Sequence, residues 1–218
     1  MKQNKKLDVK QLVLLAAFTA LAYTAVCLIR VPAVAFLSYE PKDVIIVIGG
    51  LIFGPLASLI IAFVTALLEM FTISDTGIIG CLMNALSTCS FALFASIIYK
   101  KKHTLSGAIL GLTTGSVAMV AVMLLWNWLV TPLYMKVPRS VVESMLLPVF
   151  LPFNAVKAGL NSALTLGLYR PLTAALRGAR LLPPSEGKKK DSKPWIYVLA
   201  AVLLATCILL LLVLQDKI

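Results

Sequence analysis

Long apolar stretches without a charged residue constrain this chain more than any other feature. Residues 12–29, 105–133 and 195–214 contain no Asp, Glu, Lys or Arg. About 20 such residues suffice for a helix to cross the hydrocarbon core of a bilayer. Charged residues make up only 13 % of the chain, against roughly a quarter in a soluble domain. The sequence therefore predicts an all-α integral membrane protein that crosses the lipid bilayer several times.

Six spans are predicted in the first 180 residues, followed by a seventh. They cover residues 12–29, 44–53, 56–73, 79–99, 105–133 and 152–176, and then 195–214. The second span is too short to cross a bilayer unaided. Pro41 and Pro55 are expected at helix starts, where proline has no hydrogen bond to lose.

The composition divides the chain into three parts. Residues 1–180 form the predicted six-helix transmembrane bundle, and residues 181–194 shift to Pro, Ser, Gly and Lys, as in an exposed linker. Residues 195–218 then provide one additional C-terminal transmembrane helix, which begins with the interfacial aromatic residues Trp195 and Tyr197.

The distribution of Lys and Arg predicts the orientation. With a cytoplasmic N-terminus, the inner segments carry 14 of these residues and the outer segments carry 4. Cytoplasmic loops of membrane proteins are enriched in Lys and Arg. We therefore expect a cytoplasmic N-terminus and a cytoplasmic linker at 181–194. The net charge of +11 is explained by anionic lipid rather than by nucleic acid.

Motifs for catalysis or ATP binding are missing from the sequence. No P-loop, HExxH or GxSxG pattern occurs. The four cysteines lie in apolar stretches without a CxxC pair, and His103 is the single histidine, so we expect neither a metal site nor an enzyme. No internal repeat supports an inverted-repeat secondary transporter.

Polar residues within the spans need a physical reason, because burying them in lipid is costly. Asn154, Lys157 and Asn161 lie within a narrow arc of the sixth helix. Lys157 either snorkels to the interface or forms part of a ligand site. Asn84 and Asn127 are equally compatible with helix packing and with ligand binding.

Two stripes of small residues indicate close helix contacts. Ala16 and Ala20 are four residues apart on the first span, and either pack inside the bundle or dock a partner. Gly107, Gly111 and Gly115 form a similar stripe on the fifth span, which we interpret as packing inside the chain. Glu69 is expected to be structural, capping the loop before Gly77.

Several segments together resemble the riboflavin-specific substrate-binding (S) components of energy-coupling factor (ECF) transporters, over roughly residues 10 to 175. In chain order these are Tyr39-Glu40-Pro41-Lys42-Asp43, Phe53-Gly54-Pro55, Glu69-Met70, Ser74-Asp75-Thr76-Gly77, Met83-Asn84, Pro152-Phe153-Asn154 with Lys157, and Leu168-Tyr169-Arg170-Pro171. The seventh helix departs from the family's six-helix pattern.

The resemblance implies the substrate-binding subunit of an ATP-driven vitamin importer. Such a subunit has no ATPase of its own and works with a transmembrane scaffold protein and two ABC-type ATPases. Ala16 and Ala20 match the family's motif for docking on the scaffold. Asn127, Asn154 and Lys157 match positions that hold the isoalloxazine ring.

The predicted ligand is riboflavin, with its phosphate ester FMN as an alternative, and no cofactor is expected. An isoalloxazine pocket needs apolar walls and a few fixed polar groups. The unusually apolar loop from Arg30 to Asp43 is expected to cover the ligand. We predict that Leu37 and Tyr39 from this loop, with Asn84, contact the ligand. An S component for thiamine or biotin and a stand-alone proton-coupled carrier remain alternatives.

Overall fold

The computed structural model describes residues 8–34, 36–74, 76–182 and 195–214. These residues form eight α-helices, one π-helical segment and a two-stranded hairpin. The helices are α1 (Val9–Leu28), α2 (Lys42–Phe53), α3 (Pro55–Thr72), α4 (Gly77–Lys102), α5 (Leu105–Met135), α6 (Arg139–Met145), α7 (Leu151–Gly178) and α8 (Trp195–Leu214). The hairpin strands are β1 (Val31–Val34) and β2 (Leu37–Tyr39).

Five helical regions in the described residues are long and apolar enough to cross a membrane. These are α1, α3, α4, α5 and the continuous stretch Arg139–Gly178. The prediction of an α-helical integral membrane protein therefore agrees with the structure. Helix α2 is short, with 12 residues, as its sequence predicted. Pro55 occupies the first turn of α3, whereas Pro41 precedes α2, which begins at Lys42.

The segment before α7 is helical, which the sequence analysis did not predict. Helix α6 runs directly into a π-helical stretch, Leu146–Phe150, and this leads into α7. Pro148 lies inside the π-helical stretch. A proline has no N–H to donate to the preceding turn, and π-bulges accommodate such local irregularities. Phe150 and Phe153, at the start of α7, pack with Leu37 of the hairpin in one buried cluster.

The hairpin corrects the purely helical prediction. β1 and β2 pair antiparallel, with Val31 opposite Tyr39, and the register is irregular between Pro32 and Val34. Valine is favoured in strands, because its branched side chain suits a pleated backbone. The apolar loop between α1 and α2 is thus an ordered hairpin, in which Leu37 and Tyr39 are buried.

Helices α4 and α5 approach each other closely along the glycine stripe. A Cβ atom at Gly111 would lie 2.7 Å from the carbonyl oxygen of Ala95, and one at Gly115 would lie 2.5 Å from that of Phe91. No larger residue fits these positions without moving the backbone. The prediction that the stripe serves packing within the chain is confirmed.

Helix α8 lies against α7. A Cβ atom at Gly159 would lie 2.5 Å from Sγ of Cys207, and Cys207 packs with Tyr39, Val156 and Leu160 in one buried cluster. Residues 183–194 of the predicted linker lie outside the described residues. The division of the chain at 181–194 therefore stays a prediction, while the helix that follows the linker is in contact with the bundle.

Candidate ligand-binding site

A cleft lies beneath the hairpin, where α3 ends and α4 and α7 begin. The space between its walls, part of which is open to solvent, amounts to about 460 Å³. Its lining comprises Arg30, Phe36, Leu37, Ser38, Glu40, Thr76, Met83, Asn84, Ser87, Met123, Phe153, Asn154 and Lys157. A neighbouring hollow of about 250 Å³ shares Phe36, Thr76 and Met83 with it and extends toward Trp126 and Tyr134.

The cleft combines an apolar wall of five residues with eight polar or charged residues. Large apolar side chains line it from the hairpin, α4, α5 and α7, namely Phe36, Leu37, Met83, Met123 and Phe153. Asn84, Asn154 and Lys157 supply amide groups and an ammonium. This mixture suits a flat, mostly apolar ligand with a polar edge.

Lys157 has a buried ionic partner on α2. Its Nζ atom lies 3.3 Å from Oδ2 of Asp43. Asp43 also accepts hydrogen bonds from Oγ1 of Thr88 at 2.6 Å and from Nδ2 of Asn161 at 3.1 Å. The Asp43 side chain is completely buried, so three donors from α4 and α7 satisfy a carboxylate that would otherwise be strongly destabilised.

A second buried group of charges surrounds Lys42. Its ammonium lies 2.5 Å from Oε2 of Glu40 and also donates to Oε2 of Glu69. Arg30 approaches the other oxygen of Glu40 at 3.4 Å, and Asn84 donates to Glu69 at 3.1 Å. Glu69 is thus structural, as expected: its side chain holds the start of α2. The loop before Gly77 is capped by its main-chain carbonyl oxygen, which accepts from Ser74 at 2.9 Å, and not by its carboxylate.

Each of these two groups contains equal numbers of cations and anions. Three cations and three anions take part, namely Arg30, Lys42 and Lys157 with Glu40, Asp43 and Glu69. Buried charges in a membrane protein are tolerated when they are paired and hydrogen-bonded. Within the described residues, no group of three His, Cys, Asp or Glu side chains could hold a metal ion.

Four of the six predicted ligand residues line the same cleft. These are Leu37, Asn84, Asn154 and Lys157, which come from the hairpin, α4 and α7. Lys157 is 5 % exposed, so it points into the protein and does not snorkel along the lipid face.

Asn127 does not line the cleft and is held within α5. It is fully buried, its Nδ2 donates to the carbonyl oxygen of Met123 at 2.7 Å, and its Oδ1 accepts from Thr131. Asn154 likewise donates to Phe150 in its own helical stretch. Local hydrogen bonds therefore fix the orientation of both amides before any ligand arrives.

Tyr39 lies on the far side of the hairpin from the cleft. Its ring packs with Val156, Leu160 and Cys207 between α7 and α8. Its hydroxyl is buried without a hydrogen-bond partner among the described residues. Burial, together with the negative charge of Asp43, raises the pKa of this phenol above its ordinary value. The hydroxyl stays protonated, and Tyr39 fastens the hairpin to the bundle.

Sequence reasoning missed the buried roles of Glu40, Lys42 and Asp43. The short length of the second span was the available signal. A helix of 12 residues covers about 18 Å at 1.5 Å per residue, so one of its ends must lie at depth within the membrane.

Ala16 and Ala20 lie on an exposed face of α1. The face of α1 that packs on the bundle is formed by Leu14, Leu15, Phe18, Thr19, Ala22 and Val26. Ala16, Ala20 and Thr24 are all exposed. Within the described residues nothing packs on this stripe, so its small side chains face lipid or another protein.

Comparisons with known proteins agree with this architecture. Residues 10–169 match the model of the family "ECF transporter, substrate-specific component". The riboflavin transporter RibU of Staphylococcus aureus (strain TCH60) is 29 % identical over 187 residues, which cover 81 % of this chain and 95 % of that protein. A solved structure of the S component of a bacterial ECF transporter superimposes with a TM-score of 0.64 at 29 % identity, covering 77 % of this chain and 98 % of that one. The chain belongs to the substrate-specific components of ECF transporters.

Proposed function

We propose that this chain captures riboflavin in the cleft beneath the hairpin and delivers it through an ATP-driven transport complex. The observation that carries this proposal is the convergence of Leu37, Asn84, Asn154 and Lys157 on one cleft. All four are among the ligand residues predicted from the sequence. The relative from Staphylococcus aureus is itself a riboflavin transporter.

The chemistry of the cleft fits the isoalloxazine ring. The ring is flat and apolar on its faces, and one edge carries carbonyl groups and ring nitrogens. Met83, Phe36 and Phe153 provide apolar contact, while Lys157 donates hydrogen bonds and the asparagine amides both donate and accept. FMN shares this ring, so the same cleft would accept its ring.

The remainder of the transport complex is proposed from family membership. The chain would dock on a transmembrane scaffold protein that carries two ABC-type ATPase subunits. The exposed Ala16 and Ala20 of α1 would allow a scaffold helix to approach closely.

The proposed topology has six membrane-embedded helices, with α8 as a seventh and a cytoplasmic N-terminus. Contacts between elements support it. Lys10 donates to the carbonyl oxygen of Arg180 at 3.0 Å, and a Cβ atom at Gly54 would lie 3.9 Å from Lys100. The basic ends of α1, α4 and α7 therefore lie on the same side, as a cytoplasmic surface requires. The cleft then opens toward the outside.

The alternatives have less support. A stand-alone proton-coupled carrier needs a carboxylate in the bundle that can change its protonation, whereas Asp43 and Glu69 are each paired with a lysine. A thiamine or biotin S component would share the fold. The riboflavin relative favours the flavin.

A binding titration tests the proposal. Purified protein should quench the fluorescence of riboflavin on binding, and Lys157→Met should weaken binding by about 1.5–3 kcal/mol, the contribution of a charge-assisted hydrogen bond. This corresponds to roughly ten- to a hundredfold in Kd. Lys157→Arg should also bind weakly, because the larger guanidinium fork has a different geometry.

Lys136→Met serves as the matched control. Lys136 lies at the end of α5 and does not line the cleft, so its replacement should leave the Kd unchanged. A Lys157→Met protein with wild-type affinity would show that the flavin ring does not contact this ammonium.

A further inference from the structure

We propose that Asp43 is the positioning residue for Lys157, so that the flavin meets an ammonium whose charge and direction are already fixed. This inference rests on the proposed binding of riboflavin by Lys157. Asp43 itself does not line the cleft, and its influence on the ligand passes through Lys157.

The geometry singles out Asp43 among the buried acids. Its Oδ2 lies 3.3 Å from Nζ of Lys157. Glu40 and Glu69 are instead bound to Lys42, which does not line the cleft. Two cations of the network line the cleft: Arg30, which is exposed and pairs with Glu40, and Lys157, which is buried and pairs with Asp43. Lys157 is thus the buried cation that faces both a carboxylate and the cleft, and an ammonium has three N–H donors to share between them.

The carboxylate of Asp43 is itself held from two sides. Thr88 of α4 donates to Oδ1 at 2.6 Å, and Asn161 of α7 donates to Oδ2 at 3.1 Å. Asn161 lies one turn from Lys157 on the same helix. Because two hydrogen bonds hold the carboxylate in place, the position of the Asp43 side chain determines the position of the Lys157 ammonium. Pre-organisation of this kind improves affinity, because less side-chain freedom is lost when the ligand binds.

The pairing also means that the empty cleft does not contain an unpaired charge. An isolated ammonium buried in an apolar bundle would lose its proton or move toward water. Asp43 provides a partner for this ammonium without any ligand. The flavin therefore need not neutralise Lys157, and a neutral ring edge is a sufficient partner.

A double-mutant cycle on the full-length protein tests the proposal with riboflavin as the probe. Asp43→Asn should weaken binding about tenfold, the loss expected when one hydrogen bond is misplaced. In a Lys157→Met background, the same Asp43→Asn change should cause no further loss of affinity, because the group through which Asp43 acts is already gone. A merely structural role would instead reduce affinity equally in both backgrounds.

Thr88→Val provides a milder test should Asp43→Asn fail to fold. It removes the hydrogen bond to Oδ1 and should weaken binding about two- to threefold, with the effect abolished in the Lys157→Met background. Thr65→Val is the matched control, because the Thr65 hydroxyl is buried on α3 without a hydrogen-bond partner among the described residues. Its Kd should equal that of the wild type.

The outcomes distinguish the proposed role of Lys157 from the proposed role of Asp43. The proposed role of Lys157, and this inference with it, is overturned if the wild-type protein binds no riboflavin. It is also overturned if the Lys157→Met protein binds riboflavin normally. Weak binding by Lys157→Met together with normal binding by both Asp43→Asn and Thr88→Val overturns the role of Asp43 alone. Equal losses in the two backgrounds also overturn it.

Discussion

The Nζ atom of Lys157 on α7 lies 3.3 Å from Oδ2 of Asp43 on α2, and both side chains are buried. The pair joins α7, which lines the cleft, to the start of α2. Removing only one partner leaves the other as an uncompensated buried charge, which typically costs about 3–5 kcal/mol. The stability of the empty protein therefore depends on both residues together.

This relationship predicts the stability of the variants without ligand. Lys157→Met should lower the melting temperature of the empty protein in detergent, because Asp43 loses its partner. The double variant Lys157→Met/Asp43→Asn should recover part of the loss, and a melting temperature of the single variant at or above wild type would contradict the pairing.

Substitution of the exposed face of α1 should separate transport from binding. Ala16→Trp or Ala20→Leu should leave the riboflavin Kd unchanged, because neither residue lines the cleft, while uptake by cells falls sharply, since a bulky side chain blocks helix approach. Ala121→Leu is the control, because Ala121 is also exposed but lies on α5. Full uptake by both α1 variants would mean that the scaffold docks elsewhere.

The contact between α4 and α5 predicts a sharp difference between two glycines. At Gly115 an added Cβ atom would lie 2.5 Å from the carbonyl oxygen of Phe91, whereas at Gly167 nothing lies within 4 Å. Gly115→Ala should destabilise the protein by about 1–3 kcal/mol, as overpacking does. Gly167→Ala should be neutral or stabilising by up to about 1 kcal/mol. Thermal melts of the two variants, compared side by side, measure the difference, and equal melting temperatures would contradict the close approach.

Removal of α8 should leave the ligand site intact. None of the described residues of α8 lines the cleft, so truncation before Trp195 should preserve the riboflavin Kd. The exposed side of α7 would then face lipid, which is as apolar as the side chains it replaces. Gly159→Leu, which must displace Cys207, should have the same consequence in the full-length chain. Loss of binding in both proteins would show that α8 supports the hairpin through Tyr39.

Cysteine labelling tests the orientation. A cysteine at Ser185, in a chain whose native cysteines are replaced, should react with an impermeant reagent only after the cells are opened. A cysteine added after Ile218 should react from outside. Labelling of Ser185→Cys in intact cells would overturn the cytoplasmic N-terminus, which rests on the distribution of Lys and Arg.

The helices could be predicted because their causes are local. These causes are the apolar length of each span, the proline at the start of α3 and the glycines that face α4. Each of them can be recognised in a short stretch of the sequence. The predicted spans accordingly agree with α1 to α5 and α7 within a few residues at each end. The hairpin was missed because its strands are only 4 and 3 residues long and pair with each other across a tight turn.

The polar residues show the limit of this reasoning. A polar group inside a span needs a partner, and this requirement draws attention to Lys157, Asn154 and Asn84. It does not identify the groups that these residues contact. The sequence by itself thus determined an apolar chain of membrane-crossing helices and the residues that demand partners. Only the tertiary structure decided that Lys157 pairs with Asp43, that Asn127 bonds within its own helix, and that Tyr39 turns toward α8. Lipid selects helices by length and polarity alone, whereas ion pairs between distant residues depend on how those helices pack.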